Sequence, residues 1–303
     1  MTGAGGRVDG GTADDDRDGS VPEWPGPTLR ATLDALRDRG ALSGVRLDRV
    51  TVGDSVVLVE LSGEDGRECR DGRRPAAGLA HLPEGAAPTA PTDVDGLLAP
   101  VPAAEDGPEG TTDAVALGAR ALAVATLNAC AAPLLDWRDG DPMALLDPSV
   151  ETVVTVGLFR PAFRKFDGVE VRAIEREPVD PATVSTPAGV AFRSFTPAET
   201  ATAMDGTDVA FVTGSTLVYG GIERYLDAAP ASATVVVVGA TASSLPDPLF
   251  ERGVDVVAGA AVDDPGRARD AVAGGACGTD LHDRGVRKVY AARDAPSTID
   301  LQP

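Results

Sequence analysis

Residues 208–244 read DVAFVTGSTLVYGGIERYLDAAPASATVVVVGATASS: two short apolar runs with one helix-length segment between them. DVAFVTG (208–214) and TVVVVGA (234–240) are apolar on both faces, as strands buried inside a parallel sheet are. GGIERYLDAA between them supplies the crossover helix. Three runs of the same kind lie outward of this pair: TVVTVG (152–157), VEVRAIE (169–175) and VDVVAG (254–259). FRPAFRKF, LFERG and DPGRARDAVAGG fill gaps between strands, as does a segment opening on Thr196-Pro197-Ala198-Glu199. That opening combines an N-cap, a proline at the first helical position and a capping-box acid. Strands alternating with helices predict a Rossmann-like, doubly wound α/β domain over 150–293, with strand order 2-1-3-4-5.

The texture before residue 136 differs. PTLRATLDALRDRG (27–40) spaces Leu29, Leu33 and Leu36 on one helical face and stops at Gly40. VRLDRVTVG (45–53) and SVVLVELSG (55–63) read as an antiparallel hairpin turning at Gly53-Asp54. A Gly/Pro/Glu-rich stretch holds one more apolar piece, AAGLAHL. A long helix follows over 112–135, with Val115, Ala119, Leu122 and residues 124–127 on a broad apolar face. An α+β domain over 23–135 is expected, then a Pro/Asp/Gly linker (136–149). Residues 1–22 are expected to be an acidic disordered tail, and 294–303 a C-terminal tail. Gly3–Gly6 follow no strand and precede no helix, so they are not a phosphate loop.

The 303 residues carry a formal charge of −20. Of 27 basic residues only Lys165 and Lys288 are lysines, and aromatics make up 4%. An acidic, lysine-poor surface fits adaptation to high salt. It repels phosphate backbones, which argues against nucleic acid as a partner. Cys69, Cys130 and Cys277 stand far apart, without a CxxC pair. That usage, the polar N-terminus and apolar runs nowhere near the ~18 residues a membrane helix needs predict a soluble cytoplasmic protein.

Gly157, Gly214 and Gly239 each close a strand, so all three fall on the carboxyl edge of a parallel sheet, where ligands bind. Thr213, Ser215 and Thr216 add hydroxyls at one turn, and Thr241, Ser243 and Ser244 at the next. Backbone amides at such turns suit an anion, although Ser and Thr there also serve as plain helix caps. Glu175 ends the second strand 18 residues after Gly157, near the ~20-residue offset of a ribose-binding acid. Leu158 and Phe159, however, stand where a pyrophosphate loop needs glycines. A strand-end carboxylate meeting Arg176 or solvent is as good a reading of Glu175. His81 and His282 are lone histidines. Cys277 and His282 could share a metal, but tetrahedral closure needs two further ligands. Cys130 reads as a small core residue.

The second half resembles the heavy-metal chelation family, domain of unknown function 364. The likeness rests on VGLFRPAFRKF (156–166), Glu175, residues 208–229 and VVVVGATASSLPDPLFERGVDVVAGAAVDD (235–264). The first half is similar to its companion domain (domain of unknown function 4213), which resembles the N-terminal domain of enolases. Its marks are the hairpin, GLAH (78–81) and Leu127-Asn128-Ala129. The resemblance implies a ligand cleft between the halves, bordered by Asn128, Gly157, Glu175, Thr213, Gly214, Ser215 and Gly239. The chain departs from the family at Tyr219-Gly220-Gly221, where Asn-Gly-Thr is common. It departs again at Gly239-Ala240-Thr241, where a Gly-Pro turn is common.

The leading expectation is therefore a binding protein that holds a metal, or a metal–small-molecule complex, in that cleft. Hard oxygen donors predominate among the candidates, with Glu175 the candidate ligand of a metal ion as cofactor. The alternative is an enzyme, a lyase or transferase whose anionic substrate is anchored at Gly214–Thr216 and whose base is Glu175 or Glu223. A nucleotide-binding module ranks third, lacking the glycine fingerprint. A homodimer is the default assembly.

Overall fold

The computed structural model describes residues 24–63, 76–102 and 113–301. The expected N-terminal tail, Gly3–Gly6 and Cys69 lie outside them. Helix α1 (Pro27–Asp38) starts on a proline, is followed by Gly40 at φ +69°, and buries Leu29, Leu33 and Leu36. Strands β1 (Val45–Val52) and β2 (Val56–Gly63) form the expected hairpin. AAGLAH becomes a third antiparallel strand, β3 (Ala76–His81), paired to β2. Helices α2 (Val94–Leu98) and α3 (Ala114–Ala131) are capped by the Asp93 and Asp113 carboxylates.

Two expectations about α3 need correction. Val115 is 57% exposed, because the first turn precedes Gly118, the first residue to reach the core. The stretch 114–134 is also long and apolar enough to cross a membrane, contrary to the sequence reading, but 67% of it is buried inside the protein. A helix that is apolar all round is a buried helix, and α3 lies between the first-half sheet and the second half.

The second half supplies β4 (Arg138–Asp139), β5 (Thr152–Val156), α4 (Arg160–Phe163), β6 (Glu170–Ile174), β7 (Ala191–Phe195) and α5 (Thr200–Met204). It continues through β8 (Val209–Thr213), α6 (Thr216–Tyr219), α7 (Ile222–Ala228), β9 (Thr234–Val238), α8 (Asp247–Phe250), β10 (Val256–Val262), α9 (Pro265–Ala273) and β11 (Val286–Ala292). The sheet runs β4-β11-β10-β9-β8-β5-β6-β7. The five expected strands are β5, β6, β8, β9 and β10, parallel and in the order 2-1-3-4-5. The capping box before α5 forms: the Glu199 carboxylate accepts from the Thr196 N–H at 2.8 Å.

The sheet is wider than the sequence suggested. β7 pairs parallel to β6 on one side, while β11 and β4 close the other side antiparallel. These edge strands carry Arg138, Asp139, Arg193, Arg287 and Lys288 and lack the double-sided apolar signal of the centre. Residues 136–149, expected as a linker, contribute β4, and their Leu146 bridges Ile299 of the expected tail. Both lysines of the chain donate to the Asp141 carboxylate and fasten this segment to the sheet.

The halves share their packing. Val57, Val59 and Leu61 of β2 join α1, α3 and one face of the large sheet in a single core. Val56, Leu58 and Leu79 meet Ala268, Ala271 and Val272 of α9 on the opposite side. That is why β2 is buried along nearly its whole length.

Candidate functional site at the carboxyl edge

Strands β6, β5, β8 and β9 are neighbours, and their carboxyl ends present Glu175, Gly157, Thr213 and Gly239 in one row. Gly157 sits at φ +100° and Gly239 at φ +118°, conformations that L side chains rarely adopt. A Cβ at Gly157 would come within 3.2 Å of Thr213 Cγ2, whereas nothing lies within 4 Å of one at Gly239. The hydroxyls of Thr213 and Ser215 are 3.1 Å apart. Glu175 is half-buried; its amide donates to Phe195 O at 2.9 Å. Its carboxylate has no hydrogen bond or ion pair among the described residues.

Several expected contacts are spent inside the fold. The amides of Gly157, Gly214 and Gly239 donate to Ile174, Val238 and Ala258, so the three glycines do not offer free N–H groups to an anion. Gly214 is small for a packing reason, since its Cβ would lie 2.8 Å from Ala242 N. Thr216 is buried and its hydroxyl donates to Thr213 O at 2.7 Å, a bond within the turn itself. α6 is a single turn of four residues, too short for a developed dipole. Thr241 faces inward and accepts from the His81 amide at 2.9 Å. Asn128 is 1% exposed, and its Nδ2 donates to Leu79, Ala240 and Thr241 carbonyls at 2.8, 3.3 and 3.0 Å. It is a brace between the halves rather than a cleft residue.

Glu223, one of two candidate bases, is also occupied. It accepts from the Thr28 amide at 3.2 Å, capping α1 from across the seam. A Cβ on Gly26 would meet this carboxylate at 2.3 Å, so a larger residue there would displace the Glu223 side chain from its cap. Behind the site, Asn128 Oδ1, Ser244 Oγ and Thr28 Oγ1 are buried without partners. All three residues line a small cavity with room for about one water.

Three residues that the sequence reading named but did not assign to the site complete the edge. His81 Nε2 lies 3.2 Å from the Tyr219 hydroxyl, and the Arg176 guanidinium stacks 3.8 Å above the Tyr219 ring. Together they form a bridge from the end of β6 to the end of β3, beside Thr241. Burial lowers the His81 pKa, the Arg176 charge lowers it further, and a hydrogen bond with the Ser55 backbone opposes both. A neutral imidazole results near neutral pH. No spacing joins positions 81, 176 and 219; only the ends of three separate elements bring them together.

Among the described residues, no three His, Cys, Asp or Glu side chains are grouped so as to hold a metal ion. Glu175 acquires no second ligating partner, and exposed Cys277 and half-buried His282 recruit none. Cys130 is a core thiol, 4% exposed and pushed up to about 12 by burial. A second, wider groove of about 450 Å³ runs past Asp48, Arg49, Asp263 and Asp264. Its Glu60 and Arg269 form a two-pronged pair at 2.7 and 2.9 Å.

Residues 141–291 match the model of the DUF364 family, described as "Putative heavy-metal chelation". A DUF364-family protein of unknown function from Pyrococcus horikoshii has a similar crystal structure, with TM-score 0.65 and 18% identity over 88% of this chain and 99% of that one. Another, from Desulfitobacterium hafniense, gives TM-score 0.60 and 14% identity over 88% and 98%. At such identities the likeness establishes the fold. No curated protein matches the chain.

Proposed function

We propose that this protein binds a small anionic molecule, carrying a metal as a complex, in the crevice over the carboxyl edge of the large sheet. The observation that carries this reading is the row Glu175, Gly157, Thr213 and Gly239. It combines an unpaired half-buried carboxylate, adjacent hydroxyls and open space at Gly239, and the linked Arg176, Tyr219 and His81 start from the residue next to Glu175. The match to a heavy-metal chelation family supports a metal-linked role. Among the described residues no three donors cluster, which favours a metal that arrives with its own ligands over a bare ion. We read the first half as an enolase N-terminal-like domain packed on the Rossmann-like one. We also take the protein to be cytoplasmic, salt-adapted and homodimeric.

The test is native mass spectrometry with elemental analysis on protein purified without chelators in high salt. Wild type is expected to retain a stoichiometric metal or added mass that Ser215→Trp loses while staying folded. Equal retention by the variant would exclude the crevice. The His81–Tyr219 hydrogen bond is the one feature favouring the alternative, a lyase or transferase, because it places a proton donor and acceptor at the same edge.

A further inference from the structure

Arg176 is exposed, yet it is held in place. Its guanidinium carbon lies over the Tyr219 ring, 3.8 Å from the centroid, and Tyr219 is fixed in turn by the His81 hydrogen bond. A guanidinium stacked by its face keeps its N–H donors along its edge. Among the described residues, Arg176 makes no hydrogen bond or ion pair with any of them. Beside it in the chain, Glu175 offers a carboxylate with no partner. Arg176 and Glu175 both act electrostatically on Tyr225, which places the two charges over the same part of the molecule.

A cationic fork next to an anionic acceptor, neither satisfied internally and not paired with each other, is complementary to a ligand with two adjacent groups of opposite hydrogen-bonding sense. We propose that Arg176 and Glu175 recognise a hydroxy- or amino-carboxylate, Arg176 taking the carboxylate through its N–H edge and Glu175 accepting from the neighbouring hydroxyl or ammonium. Such compounds are themselves metal chelators through the same pair of groups, which is consistent with a metal arriving as a complex. This assignment rests on the crevice reading and names its ligand class. Tyr219 is a positioning residue here: it holds the guanidinium plane, and His81 holds Tyr219.

The experiment is isothermal titration of the full chain, in high salt and without metal, with citrate and with tricarballylate, which lacks only the hydroxyl. Wild type is expected to bind both, preferring citrate by about threefold to tenfold, the value of one hydrogen bond. Arg176→Ala should weaken both anions by about tenfold or more, and Arg176→Lys by less, since charge is kept but the planar fork is lost. Glu175→Ala should abolish the preference for citrate without weakening tricarballylate. Three results would overturn the assignment: no binding of either anion by wild type, Arg176→Ala binding as wild type does, or a citrate preference that survives Glu175→Ala. If Ser215→Trp blocks both anions while Arg176→Ala changes neither, the crevice reading stands and the Arg176–Glu175 assignment falls.

Discussion

His81 is the clearest case of chemistry decided at a single residue. Its ring is held by Tyr219 and lies near the Arg176 charge, so burial and that cation both push its pKa below the ordinary 6.5. The native state therefore binds a proton less tightly than the unfolded chain does. The resulting stability is present above about pH 6.5 and is lost as pH falls through that value toward the native pKa. His81→Gln keeps a polar partner for Tyr219 and does not titrate. The stability difference between wild type and this variant, measured by urea unfolding, is expected to move against wild type as pH drops from about 7.5 to about 5.5. A difference independent of pH would mean that His81 is as readily protonated folded as unfolded. Nothing local in GLAH announces this role, since the partners sit 95 and 138 positions away in sequence. By contrast Gly157, Glu175 and Gly239 could be placed from sequence, because a buried parallel strand that ends must end on the carboxyl edge.

At the scale of elements, the seam between β3 and α3 is the tightest contact. A Cβ at Gly78 would meet Ala125 O at 2.2 Å and Ala129 N at 2.3 Å, both of them helix backbone that cannot swing aside. Gly78→Ala is therefore expected to destabilise the protein by about 3 kcal/mol or more, the upper range for overpacking a rigid contact. Thermal and urea unfolding would check this, and a loss under about 0.5 kcal/mol would mean that strand and helix can separate freely. The same contact carries Asn128, whose amide ties α3 to Leu79 and to the Thr241 turn. The family resemblance implied Asn128 at the cleft, whereas its amide is spent on these bonds, and a buried amide and a ligand-facing one look identical in one dimension. Glu223 was misplaced for the same reason: a helix cap supplied from 195 residues away follows no local capping rule. Where the partner is local, as in the Thr196–Glu199 capping box, the sequence sufficed.

For the whole molecule the governing number is the formal charge of −20. Like charges confined to a compact fold repel, and salt screens that repulsion over about 10 Å at 0.1 M and about 3 Å at 1 M. If the composition is an adaptation to salt, the unfolding midpoint should climb steadily as KCl rises from about 0.1 M to about 2 M. A midpoint indifferent to salt would reject the adaptation. By itself the sequence determined that the second half is a parallel α/β sheet in the order 2-1-3-4-5, and that the first half is a helix, a hairpin and a long apolar helix. Those features follow from short-range periodicity and from glycine and proline stops, which act over a few residues. Only the tertiary structure decided that the halves share a core, that residues 136–149 and 299 pack on the sheet, and that His81, Arg176 and Tyr219 meet. Burial and side-chain pairing at those places depend on surfaces brought together from distant parts of the chain, and periodicity along the chain carries no record of which surfaces meet.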